Sequence, residues 1–423
     1  MMVRELKSAC PQKPEDLRAL RETVAGILET VQREGDKALV AYAKKFDGYD
    51  GPICLGEKEI DEARRSLPAD IIKGLEFAIE RVTAFARAQR ATLTEFEREM
   101  MPGVFMGHRL VPVDSAGAYV PAGRYPCLTS AVMSLAPAKV AGVKRLITCS
   151  SPGRDKRLNP AILYTMAKIG ADEIYCLGGA QAIAAMAFGT ETIRPVDLVV
   201  GPGNQYVAEA KRQVYGTVGL DFIAGPSECM VIADHTGKAD FIAADLLAQC
   251  EHDPNARGAF VTTSEKLGHA VLAEIERQLK DLTTQEVARR SWETNGVVVV
   301  TATLEDAAAY ANGYAPEHLE VHAENPKALL PFLTSYGSLF LGESAAEVFA
   351  DKVAGTNHIL PTLRNARRCG GLWVGTFMKT MTHQWITDAR AKETLARYSV
   401  RQSEFEGMDA HRRAALIRLT GKL

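Results

Sequence analysis

The sequence predicts an α/β protein with two similar Rossmann-like lobes of mainly parallel sheet and helical extensions at both ends. From about residue 113, short apolar runs that end in glycine alternate with segments of helical periodicity. This alternation is typical of parallel sheets whose two faces are covered by helices. A second round of alternating runs follows a turn through FIAGPSE. We interpret the two rounds as similar domains, consistent with an old duplication.

The first hundred residues are helical in pattern. Apolar residues recur at three- and four-residue steps on one face of an otherwise charged segment, and they are Leu17, Leu20, Val24, Ile27, Leu28 and Val31. A second helical segment runs from about Glu57 to Arg90 and is broken near Pro68.

Each round then supplies its own strands. In the first round the predicted strands lie in RLITCSSP, EIYCLGG and VDLVVGPGN, and the helices that follow them lie in NPAILYTMAKIG, AQAIAAMAFG and QYVAEAKRQVYG. In the second round the predicted strands are MVIAD, GAFVTTS, VVVVTA, LEVHA and GSLFLG. Helical segments such as KADFIAADLLAQCEH separate them.

The predicted domain organisation follows from these patterns. Residues 1–20 form an N-terminal extension, residues 21–112 and 227–370 form a discontinuous first lobe, and residues 113–226 form the second lobe. Strand signals stop after Gly371, and residues 371–423 are predicted to be a helical tail that is rich in Lys and Arg. Because this tail has little apolar content, we expect it to pack on its own body or on a second subunit.

Composition and charge exclude several classes of function. The 423 residues contain 50 Lys and Arg against 52 Asp and Glu, and the net charge of −2 gives no field that would attract phosphate backbones or anionic lipid. No stretch approaches the roughly 18 to 20 uncharged apolar residues of a spanning helix, and the N-terminus carries charge where a signal peptide has its apolar core. We therefore expect a cytoplasmic protein that binds neither nucleic acid nor membrane.

The eight cysteines are scattered along the chain without a C-x-x-C pair. In a chain of this length, that spacing disfavours both a disulfide scaffold and a thiolate zinc site. Any metal would therefore have to be bound by nitrogen and oxygen atoms.

Two pairs of polar residues are candidates for metal binding or catalysis. His252 lies three residues after Gln249, so that on a helix both side chains project from one face, although a chance pair is the commoner explanation. Glu317 and His318 follow a proline, between a helical pattern and a strand. An acid and an imidazole at a strand end can serve as a general base pair, whereas the alternative is a capping Glu beside a half-buried His.

Further polar residues lie in loops. DKVAGTNHILPT contains Asp351, Asn357 and His358, and FEGMDAH contains Glu406 and His411, all of which could simply be solvated. GPGNQYVAEAK follows a buried-looking strand and opens a helix, where backbone N–H groups can hold a phosphate. It lacks the G-x-G-x-x-G fingerprint of dinucleotide-binding folds. The residues alone thus indicate an α/β enzyme with a possible nucleotide and a possible metal.

Eight segments, in order and over nearly the whole chain, resemble the histidinol dehydrogenase family. They are YVPAGRYP, GGAQAIAAMAFGT, VVGPGNQYVAEAKRQV, GPSE, DLLAQCEHDP, YAPEHLE, AGTNHILPT and EGMDAH. The resemblance implies a zinc-dependent enzyme that uses two NAD to oxidise a primary alcohol through an aldehyde to a carboxylate. It also implies a homodimer in which the C-terminal tail completes the partner's site.

The resemblance assigns roles position by position. The implied ligands of one zinc ion per subunit are Gln249, His252, Asp351 and His411. Glu317 and His318 match the catalytic pair, of which one removes the alcohol proton and the other activates water. Ser227 and Glu406 match substrate contacts, and Tyr119, Gln181 and Asn204 match contacts to NAD. His411 and Glu406 would act in trans. These retained positions argue against a non-enzymatic descendant that keeps only the fold.

One region departs from the pattern of histidinol dehydrogenases. After NHILPT that family continues with a Ser-rich turn and a segment resembling LSVxDFxKRTS, whereas this chain reads LRNARRCGGLWVGTFMKTMTHQ. This region and YVPAGRYP resemble the branch that oxidises (R)-2,3-dihydroxypropane-1-sulfonate, or sulfopropanediol, to 3-sulfolactate. The resemblance therefore favours sulfopropanediol as substrate, with L-histidinol as the alternative. The candidate partners of a sulfonate are Arg124, Arg364, Arg367, Arg368 and Lys379, although each could equally be solvated.

Overall fold

The structure, a computed structural model that describes residues 3–10, 17–122 and 125–422, contains two six-stranded sheets with the same topological strand order. The strands are β1 (Val3–Lys7), β2 (Cys54–Leu55), β3 (Phe96–Met101), β4 (Val104–Pro112), β5 (Ser115–Val120), β6 (Arg145–Ser150), β7 (Glu173–Cys176), β8 (Leu198–Val200), β9 (Gly219–Leu220), β10 (Glu228–Ala233), β11 (Arg257–Thr262), β12 (Val297–Thr301), β13 (His318–His322), β14 (Ser338–Leu341) and β15 (Met378–Ile386).

Helices connect most of these strands. They are α1 (Arg18–Glu34), α2 (Asp36–Asp47), α3 (Glu57–Ser66), α4 (Ala69–Thr92), α5 (Ser130–Ala141), α6 (Pro160–Ile169), α7 (Gly179–Phe188), α8 (Gln205–Val214), α9 (Ala239–Cys250), α10 (Glu265–Leu279), α11 (Gln285–Asn295), α12 (Leu304–Tyr314), α13 (Glu347–Lys352), α14 (Ala389–Phe405) and α15 (Asp409–Thr420). Short 3-10 turns lie at Pro326–Phe332, Asn365–Arg367 and Val374–Phe377. The predicted α/β class is confirmed.

The described residues form two compact units. The first consists of the residues up to Gln89 together with Val113–Phe377, and it contains both six-stranded sheets. The second consists of Arg90–Pro112 and the residues from Met378 onward.

The two sheets repeat one topology. The first sheet has the order β1-β12-β11-β10-β13-β14, and the second has the order β2-β7-β6-β5-β8-β9. Within each sheet the five strands that follow one another along the chain run parallel, and one antiparallel strand, β1 or β2, is added at the edge. The order reverses between β10 and β13 and between β5 and β8, which are the topological switch points where open α/β sheets bind ligands.

Helices cover both faces of the first sheet. On one face Val231 and Phe260 are buried against Leu246 and Ile275 of α9 and α10, and on the other face Met230 is buried with Ala307 of α12. Every residue of β10 is buried, as expected for a central parallel strand enclosed on both sides. This rigid core fixes the two ends of β10 and β13.

The structure differs from the predicted domain organisation in residues 21–112, which the sequence placed in the lobe of residues 227–370. β2 pairs with β7 of the other sheet, and α1 packs on α7 and α8. The apolar stripe of α1 at Val24, Ile27, Leu28 and Val31 is buried there. An apolar stripe shows only that a helix is buried, so the helical pattern alone did not indicate on which sheet α1 would pack.

The second unit contains a three-stranded antiparallel sheet with the order β15-β4-β3 and the helices α14 and α15, which pack on each other. The tail therefore begins with a strand, whereas the sequence predicted helix after Gly371. Most of β15 is exposed, so it lacks the alternating apolar pattern that would have revealed it. Trp385 of β15 stacks on Phe105 with ring centroids 4.5 Å apart.

None of the helices in the described ranges is both long enough and apolar enough to cross a membrane.

Candidate active site

Glu317 and His318 lie where the chain enters β13, in the middle of the first sheet. Both are buried, and both are held by the backbone of Glu228, the first residue of the neighbouring strand β10. The N–H of Glu228 donates a hydrogen bond of 2.8 Å to Oε2 of Glu317. The carbonyl oxygen of Glu228 lies 3.1 Å from Nδ1 of His318. The acid and the imidazole are therefore fixed side by side, with Oε2 of Glu317 3.7 Å from Nδ1 of His318.

The contact with a carbonyl oxygen determines the tautomer of His318. A carbonyl can only accept, so Nδ1 carries the proton and Nε2 of the neutral ring is left with a lone pair. Burial lowers the pKa of His318, which favours this neutral form. Burial also raises the pKa of Glu317 well above its usual range, although the N–H of Glu228 acts in the opposite direction. The neutral ring of His318 can therefore accept a proton at Nε2, whereas Glu317 holds a proton more tightly than an exposed carboxylate does.

Helix α13 places two carboxylates opposite Nε2 of His318. Glu347 and Asp351 are four residues apart and share one helix face. Oε1 of Glu347 lies 3.9 Å from Nε2 of His318, and Oδ1 of Asp351 lies 3.8 Å from it. Asp351 was expected in the site, whereas Glu347 was missed. The i, i+4 spacing in EVFAD was the signal that would have identified it.

Gln249 and His252 lie at the end of α9, which packs on α13. The N–H of His252 donates to the carbonyl oxygen of Gln249, at 3.2 Å, because the helix closes there in a tight turn. Burial lowers the pKa of His252, and the negative charge of Asp351 opposes this shift most strongly. The structure therefore brings Gln249, His252, Asp351 and His318 into one buried region.

Three buried polar atoms in this region have no hydrogen-bond partner within the described part of the chain: Oε1 of Gln249, Nε2 of His318 and Oε2 of Glu347. Buried polar atoms are normally paired, and two adjacent carboxylates are costly without a cation. His318, Glu347 and Asp351 also offer ligand atoms that all lie within 4.8 Å of one another. Oxygen and imidazole nitrogen donors suit zinc. The residues present therefore fit a bound divalent metal.

His411 and Glu406 belong to the second unit. Glu406 is the C-cap of α14, and His411 lies in the first turn of α15. Both side chains are exposed.

The residues expected to contact NAD lie at the carboxyl edge of the second sheet. Tyr119 lies in β5 and is buried, and its hydroxyl accepts a hydrogen bond of 3.1 Å from the N–H of Gly179 at the start of α7. Gln181 is buried in α7. Asn204 is the N-cap of α8, and its side-chain oxygen accepts from the N–H of Tyr206 at 3.0 Å and from that of Val207 at 3.1 Å. This edge is the switch point of β5 and β8, where parallel sheets bind ligands.

A sequence model of a protein family, described as histidinol dehydrogenase, matches residues 10–419. The chain belongs to the histidinol dehydrogenase family. The crystal structure of a histidinol dehydrogenase from Elizabethkingia anophelis is similar to it, with a TM-score of 0.91 and 36% identity, over 98% of this chain and 94% of that chain.

Two relatives that carry different names are about equally similar in sequence to this chain. A sulfopropanediol 3-dehydrogenase from Ruegeria pomeroyi is 41% identical over 99% of this chain and 97% of its own length. A histidinol dehydrogenase from Rhizobium meliloti is 42% identical over 96% of this chain and 92% of its own length. Sequence identity therefore establishes an oxidoreductase of this family and leaves the substrate open between the two.

The loop after His358 is hydrogen-bonded to Glu228, the residue of β10 whose backbone holds Glu317 and His318. Oε2 of Glu228 accepts a hydrogen bond of 3.3 Å from the N–H of Leu363. Leu363 and Arg364 both have positive φ angles, of 53° and 66°, which are unfavourable for residues with a side chain. Ser227, the expected substrate contact, immediately precedes Glu228 and is half-buried.

The expected partners of a sulfonate are not distinguished by burial. Arg364, Arg367, Arg368 and Lys379 are all exposed, and Lys379 lies on β15 of the second unit. Arg124 lies outside the described residues.

The raised pKa of Glu228 should make the stability of the protein depend on pH. Burial raises the pKa of Glu228 to about 7, against the effect of Arg257. The folded chain then binds more protons than the unfolded chain between about pH 4.5 and pH 7, so stability falls as pH rises through this window. The substitution Glu228→Gln removes this loss of stability at high pH, because a glutamine side chain does not ionise. We expect the variant to unfold at a higher urea concentration than the parent at about pH 8.5, with a gain of up to about 3 kcal/mol, and at nearly the same concentration at about pH 5.

The exposed Glu62 supplies the matched control. For Glu62→Gln, the difference in the free energy of unfolding between the variant and the parent should be the same at both pH values. A gain for Glu228→Gln that is no larger at high pH than at low pH would contradict the assignment.

Proposed function

We propose that the protein oxidises a small polar primary alcohol to a carboxylate through an aldehyde, with zinc and with two NAD as hydride acceptors. The proposed substrate is (R)-2,3-dihydroxypropane-1-sulfonate, and the product is 3-sulfolactate. The observation that carries the proposal is the buried Glu317 and His318 pair, which faces carboxylates and unpartnered polar atoms. Family membership supports the reaction class.

The proposed zinc ligands are Gln249, His252, Asp351 and His411. When bound, zinc would act as a Lewis acid that makes the alcohol easier to deprotonate and the aldehyde easier to attack. Glu347 lies beside Asp351, and its carboxylate would add negative charge to the site.

The chain's own residues supply the proton transfers. In the first oxidation, Nε2 of His318 takes the hydroxyl proton while the carbon transfers a hydride to NAD, which leaves an aldehyde, NADH and a protonated imidazole. Glu317 then takes a proton from the water whose oxygen bonds to the aldehyde carbon, while the protonated imidazole of His318 returns its proton to the carbonyl oxygen, which gives the hydrate. The hydrate passes its hydride to a second NAD, and one of its two hydroxyl protons passes to the neutral imidazole, which leaves the carboxylic acid and a second NADH.

The backbone of Glu228 orients both bases for these steps. It holds Nδ1 of His318 as a donor, so that Nε2 is available as an acceptor. The raised pKa of Glu317 makes its carboxylate a better base than an exposed one. Tyr119, Gln181 and Asn204 are the proposed NAD contacts.

Two observations favour different substrates. The changed sequence after His358 and the relative named sulfopropanediol 3-dehydrogenase favour the sulfonate diol. The presence of Glu406 and the similarity to proteins named histidinol dehydrogenase favour L-histidinol as the second candidate. In the latter case Glu406 and Ser227 would contact the substrate.

An assay of NADH formation tests the substrate. With (R)-2,3-dihydroxypropane-1-sulfonate we expect about two NADH per molecule consumed, because the product is a carboxylate and not an aldehyde. L-Histidinol should give a kcat/KM at least about 100-fold lower, since a site that pairs an anion binds an imidazole and ammonium poorly. Turnover of L-histidinol without turnover of the sulfonate would reverse the assignment, and turnover of neither would contradict both.

Metal content tests the zinc site. His252→Ala should lower the affinity for zinc by at least about tenfold, because the chain loses one nitrogen ligand. Zinc bound after equilibration and desalting can be measured by mass spectrometry, and the melting temperature gives a second readout. His269→Ala, on an exposed helical position, is the control and should retain zinc. A His252→Ala protein that binds as much zinc as the parent would remove His252 from the ligand set.

We also propose a homodimer in which the tail of one subunit completes the site of the other. The second unit carries large apolar side chains that are exposed in the described chain, including Phe405 at 95%, Tyr398 at 69% and Met408 at 47% exposure. No residue of α15 is buried. An apolar surface of this kind is typical of an interface.

Mixing two inactive variants tests the shared site. His318→Ala and His411→Ala should each be inactive. After the two are unfolded and refolded together, half of the dimers should be mixed, and each mixed dimer should contain one intact site if His411 acts in trans, which restores about a quarter of the parent activity. If the tail acts within its own subunit, the mixture should show no recovery beyond the two variants refolded separately.

A further inference from the structure

The loop that leads into α8 is held by an ion pair that the proposed reaction does not use. This loop, Gly201–Asn204, follows β8 and ends at the N-cap of α8. Gly201 has a φ of 107°, and a side chain there would overlap the carbonyl oxygen of Tyr119. The loop therefore lies directly against the backbone of one proposed NAD contact and carries another, Asn204.

Lys211 and Asp221 bind both polar backbone groups of Gly201. Nζ of Lys211 donates to the carbonyl oxygen of Gly201 at 2.9 Å, and the N–H of Gly201 donates to Oδ2 of Asp221 at 2.8 Å. The other oxygen of Asp221 lies 2.5 Å from Nζ of Lys211. The two charged side chains are almost completely buried, with exposures of 3% and 1%.

This arrangement is poorly explained by stability alone. Burying two charges costs desolvation energy that their attraction only partly repays, so an apolar pair of similar volume would stabilise the fold as well. An apolar pair could not, however, offer one donor and one acceptor to the same residue. Gly201 comes immediately after β8, where the parallel ladder no longer pairs its backbone groups. The ion pair supplies those partners.

We propose that Lys211 and Asp221 are positioning residues for NAD, which hold the Gly201–Asn204 loop in its binding geometry before the dinucleotide arrives. The proposal rests on the proposed use of NAD. A loop that is already ordered loses less conformational entropy when the ligand binds, so the ion pair would act on NAD affinity and not on the chemical steps.

A double variant, Lys211→Met with Asp221→Asn, tests the proposal without leaving a lone buried charge. The side-chain oxygen of the new Asn can still accept from the N–H of Gly201. The carbonyl oxygen of Gly201 loses its donor, the Nζ of Lys211. We expect the Kd of NAD, measured by titration calorimetry on the zinc-loaded enzyme without alcohol, to rise about tenfold. The KM of NAD should rise in parallel, while kcat at saturating NAD should stay within about twofold.

The matched control is an ion pair between two strands of the second six-stranded sheet. Arg145 and Glu173 form a bidentate pair with distances of 2.7 and 3.0 Å at the amino ends of β6 and β7, the edge opposite the loop. Arg145→Met with Glu173→Gln should reduce stability without changing the Kd of NAD by more than about twofold. An equal loss of NAD affinity in this control would show that general destabilisation explains the effect.

Hydrogen exchange in the parent protein provides a measurement that does not depend on variants folding. The amide of Gly201 should exchange slowly before NAD is added, because Asp221 already accepts its proton. Exchange as fast as in an exposed loop, slowed only by NAD, would overturn the proposal, as would unchanged NAD affinity in the folded double variant. If the parent itself does not bind NAD, the proposed function fails while the slow exchange of Gly201 still shows that the loop is held.

Discussion

The pairing of β10 with β13 is the interaction on which the candidate site depends. In this parallel register Cys229 lies opposite His318, so the backbone of Glu228 reaches both Glu317 and His318 at the point where β13 begins. The same two strands lie at the centre of the first sheet and are buried by helices on both sides. A well-packed core therefore fixes the distance between Glu317 and His318 more precisely than a loop could.

Much of the fold could be predicted because it depends on local periodicity. The strands and helices of both rounds, and the break between α3 and α4 near Pro68, follow from apolar spacing. β15 and the hairpin of β3 and β4 could not be found in this way, because an exposed antiparallel sheet needs no apolar face. The sheet on which α1 packs was also missed, since a stripe of apolar residues specifies burial but not the surface that buries it.

The candidate site was predictable in a different sense. Spacing alone gave weak signals for Gln249 with His252 and for Glu317 with His318, and the family resemblance supplied their roles. The sequence did not indicate which charged residues are buried. Glu347, Lys211 and Asp221 are of residue types that normally lie on the surface. Their importance appears only when the fold shows that they are buried and shows which atoms they face.

Glu228 separates two tasks within one residue. Its backbone, which any amino acid except proline could supply, orients Glu317 and His318, whereas its side chain accepts a hydrogen bond from Leu363 in the loop after His358. Mutation of that side chain or of the loop can therefore alter what the loop accommodates while Glu317 and His318 keep their positions. The loop can therefore change independently of the backbone contacts, and two relatives of nearly equal identity to this chain carry names that refer to different substrates.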